Sequence, residues 1–123
     1  MDIKKHITAL GFVPKNGTNG IFHKIYVDYA IEIDFEKQII NYGSAITADR
    51  KTTQNFSDAE NFVVLECINR LLAKGYKPQN IVLEKTWPAG HGVSKHLDIC
   101  VNREDGTPYM LIECKTFGKE YNK

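Results

Sequence analysis

DICVNREDGTPYMLIECK, residues 98–115, sets two apolar-rich runs on either side of Asp105-Gly106. That dipeptide favours a two-residue hairpin turn. With the turn there, Glu104 faces Thr107 and opposed residues across the hairpin have numbers summing to 211. Asp98 then lies opposite Glu113, and His96 opposite Lys115. Directly opposed side chains share a face and sit about 4.5–5.5 Å apart at Cβ. A single β-bulge near Pro108 would shift this register by one residue. Within the second run, strand alternation points Glu113 and Lys115 to one face, and Ile112 and Cys114 to the other.

Working outward, KHLDICV (95–101) and YMLIECKTF (109–117) read as the paired strands. IVLEKTW (81–87) is a third strand, joined to them by the glycine-bearing loop PAGHGVS (88–94). Further upstream, Ser57 and Glu60 form the S-x-x-E spacing of a capping box. The following NFVVLECINRLLAKG reads as a helix ending at Gly75, with Val64, Cys67, Ile68 and Leu71 as its buried stripe. The order is helix, strand, strand, strand. In the first half, residues 2–10 predict a short helix closed by Gly11, with Asp2 at its positive end. NGTNG (16–20) is a loop. Ile21–Tyr26, Ala30–Phe35 and QIINYG (38–43) form a small meander, with Ile31, Ile33 and Phe35 on one face and Glu32 and Asp34 on the other. Residues 44–56 are polar and unpatterned, and ADRKTTQN is the best linker candidate.

The expected fold class is therefore α/β in the broad sense (α+β). An N-terminal α/β subdomain (1–50) with a helix and meander precedes a linker (51–56). The core (57–123) is one helix followed by a three-stranded sheet that ends in a β-hairpin.

A chain of 123 residues with 42% hydrophobic and 25% charged side chains has an ordinary globular composition. Its net charge is +1, and residues 1–50 hold six basic and six acidic groups. Bulk charge gives no pull toward nucleic acid or membrane, so contact with a polyanion depends on local placement. The three cysteines, Cys67, Cys100 and Cys114, are odd in number and lack a C-x-x-C spacing. This argues against a disulfide framework or structural zinc, and a reducing cytosol is the simplest setting. No apolar run is long enough to span a bilayer, so no membrane partner is expected.

Two carboxylates placed directly across a hairpin repel each other unless a cation lies between them. Asp98 and Glu113 would suit a hard divalent ion such as Mg²⁺, which takes oxygen ligands and is commonly held by one or two carboxylates plus a substrate phosphate. Lys115, two residues along the same face, would put a positive charge beside a reacting phosphodiester. Glu60 lies one turn before Val64 and could reach the same site from the helix. A plainer account stands beside each of these. Glu113 and Lys115 make an ordinary surface ion pair. Glu60 is explained by the cap it would form with Ser57. His91 and His96 are surface histidines, Trp87 is core or rim, and Cys100 is a small buried side chain.

The run ENFVVLECINRLLAKGYKPQNIVLEKTW…LDICVNREDGTPYMLIECKTFGKE resembles the N-terminal nuclease domain of type I restriction enzyme R subunits, within the PD-(D/E)xK nuclease superfamily. The likeness covers about residues 57–120. It rests on Asp98-Ile99, on Glu113-Cys114-Lys115, on Glu60, and on the Gly75-Tyr76…Pro78 joint. It implies a restriction-endonuclease-like core that hydrolyses DNA phosphodiester bonds with Mg²⁺, or with Mn²⁺ in its place. Asp98, Glu113 and Glu60 would be metal ligands together with the Cys114 carbonyl, and Lys115 the catalytic lysine. The implied partners are double-stranded DNA and either other restriction–modification subunits or downstream domains of the same chain. The implied location is the cytoplasm. The parent would be a translocase subunit or a fusion with an adenine methylase. Three features depart from the family. No G-x-x-x-x-G-K-[ST] loop occurs, so ATP binding is not expected in this piece. The downstream Q-x-x-x-Y helix is missing, which implies a core cut short at its C-terminus. Leu97 stands where a proline often precedes the aspartate. A non-catalytic DNA-binding or subunit-assembly module with the same fold is the rival reading, and a nuclease acting on RNA or damaged DNA is another.

Overall fold

The computed structural model describes residues 2–88 and 94–116. Helix α1 (Ile3–Ala9) opens the chain, and strands β1 (Val13–Pro14), β2 (Ile21–Tyr26), β3 (Tyr29–Asp34) and β4 (Ile39–Asn41) follow. Strand β5 (Thr47–Ala48) precedes helix α2 (Glu60–Ala73) and a 3₁₀ turn (Pro78–Asn80). Strands β6 (Ile81–Pro88), β7 (Ser94–Asn102) and β8 (Pro108–Ile112) are the last elements among the described residues. The result is an α+β protein with two four-stranded sheets, β1-β2-β3-β4 and β5-β6-β7-β8. All neighbours are antiparallel except β5, which runs parallel to β6. The expected loop around His91 and the last residue of the predicted strand 109–117 lie outside the described residues.

Both helices end as their glycines dictate. After α1, Phe12 N–H bonds to Ile7 C=O and Gly11 N–H to Thr8 C=O. After α2, Tyr76 N–H bonds to Leu71 C=O and Gly75 N–H to Leu72 C=O. These are paired Schellman bonds, and they need a left-handed residue between them. Gly11 (φ +104°) and Gly75 (φ +99°) supply it. At the other end of α1, Asp2 Oδ1 accepts Lys5 N–H at 3.1 Å, as its position predicts.

A single hydrophobic core draws on both halves of the chain. Ile7, Phe12, Ile31, Ile33 and Ile40 join Phe62, Leu65, Ile68, Leu83, Ile99 and Val101 in one cluster. Helix α2 is the shared element. Its buried positions include Phe62 and Asn69 as well as Val64, Ile68 and Leu71, so about half its circumference is covered. That stripe is wider than the sequence suggested, and Cys67 lies at its half-buried margin. Asn69 Oδ1 accepts from both Lys24 Nζ (2.6 Å) and Tyr26 OH (2.8 Å) of β2, which ties the first sheet to α2. A file of edge-to-face rings, Phe22–Phe35–Phe56–Phe62, runs from that sheet to the same helix with centroids 5.2–5.5 Å apart. Each such pair adds about 0.5–1.5 kcal/mol beyond its buried area.

Four local expectations are corrected. The polar segment 44–56 is built into both sheets: β5 extends the second one, Ile40 N–H bonds to Gln54 C=O, and Ile39 bridges Asn55. The second sheet thereby has four strands and not three. The capping box is absent, because Ser57 Oγ donates to Asn55 Oδ1, while Asp58 Oδ1 accepts Glu60 N–H at 2.9 Å. Asp58 competes successfully because its carboxylate meets the positive end of α2 with a full charge. The hairpin loop has three residues, Glu104–Gly106: Arg103 pairs with Thr107 through its N–H at 2.8 Å, and Gly106 takes φ +89°. Asp105 Oδ1 fixes this turn by accepting from the N–H (2.9 Å) and hydroxyl (2.6 Å) of Thr107. Finally, the predicted strand 109–117 leaves the ladder at Ile112.

The loop alone would shift the register by one residue. An irregularity between Val101 and Asn102 shifts it back: Asn102 pairs with Pro108, but Val101 pairs with Met110, leaving Tyr109 as the extra residue. Cys100↔Leu111 and Ile99↔Ile112 then keep the sum of 211 that the sequence predicts.

Candidate metal and phosphodiester site

The ladder between β7 and β8 closes at Ile99↔Ile112, immediately before Asp98 and Glu113. There the Asp98 side chain takes over from the backbone, accepting Cys114 N–H on Oδ2 at 2.7 Å. This bond anchors the segment after β8 beside the aspartate. Glu113 and Lys115 project from that segment and pair at 3.5 Å, with both side chains about half exposed. The surface ion pair expected as the plainer account of E-x-K is therefore formed.

Glu60 sits half-buried at the start of α2. Its carboxylate and that of Asp98 both act on the Cys114 thiol. They push it up, after the larger effects of the Cys67 thiol and of burial. Cys67 is moved the other way, drawn down chiefly by its hydrogen bond with Cys114, while burial opposes and Arg70 assists.

A cleft of about 290 Å³ lies between α2 and the end of β8. Glu66, Cys67 and Arg70 line it from the helix, and Glu113, Cys114 and Lys115 from the strand side. Arg70 Nη2 is held by Glu66 Oε2 at 2.7 Å across one helical turn. Glu113, Cys114 and Lys115 are thus brought together at one opening. Asp98 reaches it through the Cys114 amide, while Glu60 approaches Cys114 without lining the cleft. Among the described residues, no group of three or more His, Cys, Asp and Glu side chains stands close enough together to hold a metal ion. Trp87 is half-buried, with Lys85 Nζ 6.0 Å from its ring centre, and His96 is exposed.

Sequence reasoning missed Glu66 and Arg70, although their i,i+4 spacing beside Cys67 was a usable signal. It also missed Glu84. This glutamate stands across from Asp98 on β6, between the pairs Leu83↔Ile99 and Lys85↔Leu97, yet it is only 2% exposed and has φ +51°. Its carboxylate turns from the ladder to accept the N–H and hydroxyl groups of both Thr52 and Thr53. Glu84 is therefore committed to holding segment 47–53 and is not a spare ligand.

No protein-family model matches the chain, and comparisons with curated proteins and with solved structures give no significant match. Among the described residues, no helix is long and apolar enough to cross a membrane.

Proposed function

We propose that the chain is a metal-dependent nuclease domain of the restriction-endonuclease-like class, hydrolysing phosphodiester bonds of double-stranded DNA within a type I restriction–modification enzyme. The observation that supports this most is the hydrogen bond from Cys114 N–H to Asp98 Oδ2 at the foot of the β7–β8 ladder. It sets an aspartate of β7 beside the E-x-K segment that follows β8, an arrangement that needs both the 211 register and its compensating bulge.

The donor set fits Mg²⁺, with Mn²⁺ in its place. Asp98 keeps Oδ1 available when Oδ2 takes the amide, Glu113 offers a second carboxylate, and the Cys114 carbonyl would be a further oxygen donor. Oxygen donors with two carboxylates, the remaining positions going to water and a phosphate, are what Mg²⁺ accepts. Glu60 would act from farther off, as a charge or through water. When bound, the metal ion supplies charge neutralisation at the phosphate and a water of lowered pKa. The chain's own groups do the rest. Asp98 fixes the position of the Cys114 amide and hence of both flanking side chains. Lys115, which lines the same opening, would present its ammonium to the phosphate oxygens as charge builds there. Arg70 lines the same opening and adds a second cation.

The Glu113–Lys115 ion pair favours the rival reading of a DNA-binding or assembly module without cleavage. Metal removal separates the two. Supercoiled plasmid should be nicked in Mg²⁺ and left intact in excess EDTA, with activity restored by Mn²⁺. Plasmid that is bound yet uncut under all three conditions would establish the rival.

A further inference from the structure

The proposed hydrolysis uses neither thiol in the cleft. Cys67 stands half-buried on the margin of α2, and Cys114 stands buried between Glu113 and Lys115. Both line the cleft from facing elements although they lie 47 residues apart in sequence. Cys100 is separate from them. It belongs to the other face of β7 from Ile99 and Val101, and its thiol donates to Asn102 Oδ1 at 3.3 Å. A disulfide requires two sulfurs already brought together on facing elements, with access for an oxidant. Of the three cysteines, Cys67 and Cys114 share one open cleft on facing elements.

We propose that Cys67 and Cys114 form a redox modification site, which a small hydroperoxide converts into an intramolecular disulfide between α2 and the segment after β8. Cys67 is the more exposed and reacts first. Its thiolate attacks the near oxygen of hydrogen peroxide, the O–O bond breaks, and hydroxide leaves to take up the proton that the thiol released. The product is Cys67 sulfenic acid and one water. The Cys114 sulfur then attacks the Cys67 sulfur, the S–OH bond breaks, and the hydroxyl leaves with the Cys114 proton as a second water. Two thiols are oxidised by two electrons in all, and one peroxide is reduced to two waters.

Bond formation at Cys114 Sγ would tie its segment to α2 and strain the bond from its N–H to Asp98. This consequence rests on the proposed nuclease site, whereas the disulfide itself does not. A displacement of the order of 1 Å at Glu113 and Lys115 is expected to lower cleavage about 100-fold.

The test treats the reduced whole protein with hydrogen peroxide, alkylates the remaining thiols, and maps the peptides by mass spectrometry. The expected product is two hydrogens lighter, carries a Cys67–Cys114 crosslink, and still alkylates at Cys100; dithiothreitol reverses it. Cys67→Ser and Cys114→Ser should each abolish the crosslink, and the wild-type peptide map decides the matter even if a variant folds poorly. Three alkylatable thiols after peroxide, a crosslink to Cys100 or to a second chain, or sulfinic acid without a disulfide would overturn the proposal. Plasmid nicking by oxidised and reduced protein then reads the consequence. Equal nicking in both states refutes the coupling, whereas a crosslinked protein that never nicks refutes the nuclease reading alone.

Discussion

Lys115→Ala is expected to lower Mg²⁺-dependent nicking about 100- to 1,000-fold, the usual loss when a group aimed at developing charge is removed. The same substitution should leave the fold almost untouched. It pairs with Glu113 at 3.5 Å, both side chains are about half exposed, and solvent screens the pair. Such pairs contribute about 0–1 kcal/mol. The combination separates the two accounts of E-x-K. A surface ion pair predicts a small effect on both stability and nicking, while a lysine that meets the phosphate predicts a large effect on nicking alone. Lys115→Arg should recover only part of the activity, since a planar guanidinium cannot occupy the position of a compact ammonium. The measurement is the initial nicking rate alongside a urea melt of each variant. Nicking by Lys115→Ala within a few-fold of wild type would remove the lysine from the mechanism.

Glu84→Ala should destabilise the protein by about 3 kcal/mol, the largest effect on stability expected of a single polar group here. Hydrogen bonds to a charged acceptor contribute about 1.5–3 kcal/mol each, and loss of the acceptor leaves donors with no partner. Glu84 accepts from the Thr52 N–H at 2.7 Å, from the Thr53 N–H at 3.2 Å, and from both hydroxyls. The estimate stays well below the sum of four such bonds because Thr52 is exposed, so water can replace part of what is lost. Alanine also inherits the φ of +51° without the bonds that hold the backbone there. Glu84→Gln, which keeps acceptor and shape, should fall between the two. Equilibrium urea unfolding gives the figure; a change under about 0.5 kcal/mol would mean that segment 47–53 is held by its backbone bonds to β6 and needs no carboxylate.

The elements legible in the sequence were those with enough residues to show a period. Helix α2 spans nearly four turns and β3 alternates through Ile31 and Ile33, so both announce their buried faces. Strands β1 and β5 have two residues each, too few for any alternation, and their pairing partners are set by tertiary contacts. The hairpin is a subtler case. Asp105-Gly106 suggested a two-residue turn, but the Asp105 carboxylate stabilises a longer loop, and only the bulge at Tyr109 restores the register. Asp98, Glu113 and Lys115 could be singled out because charges inside apolar strands are conspicuous. By the same rule Glu84, inside IVLEKTW, deserved equal notice. Its fate depends on Thr52 and Thr53, more than thirty residues away, and no local pattern reports that. The meeting of Cys67 and Cys114 at one cleft was hidden for a similar reason: each is an ordinary small side chain in its own segment, and only the packing of α2 beside the end of β8 brings them to the same opening.

The claim on which the functional reading depends is that Asp98 and Glu113 share a divalent ion. Titration calorimetry with Mn²⁺ on wild type and Asp98→Asn tests it most directly, since asparagine can still accept the Cys114 N–H and so preserves the local backbone. One Mn²⁺ should bind per wild-type chain, with affinity at least about tenfold weaker in Asp98→Asn, as expected when a charged donor is replaced by a neutral one. No binding by the wild type, or equal binding by both proteins, would contradict the shared metal site.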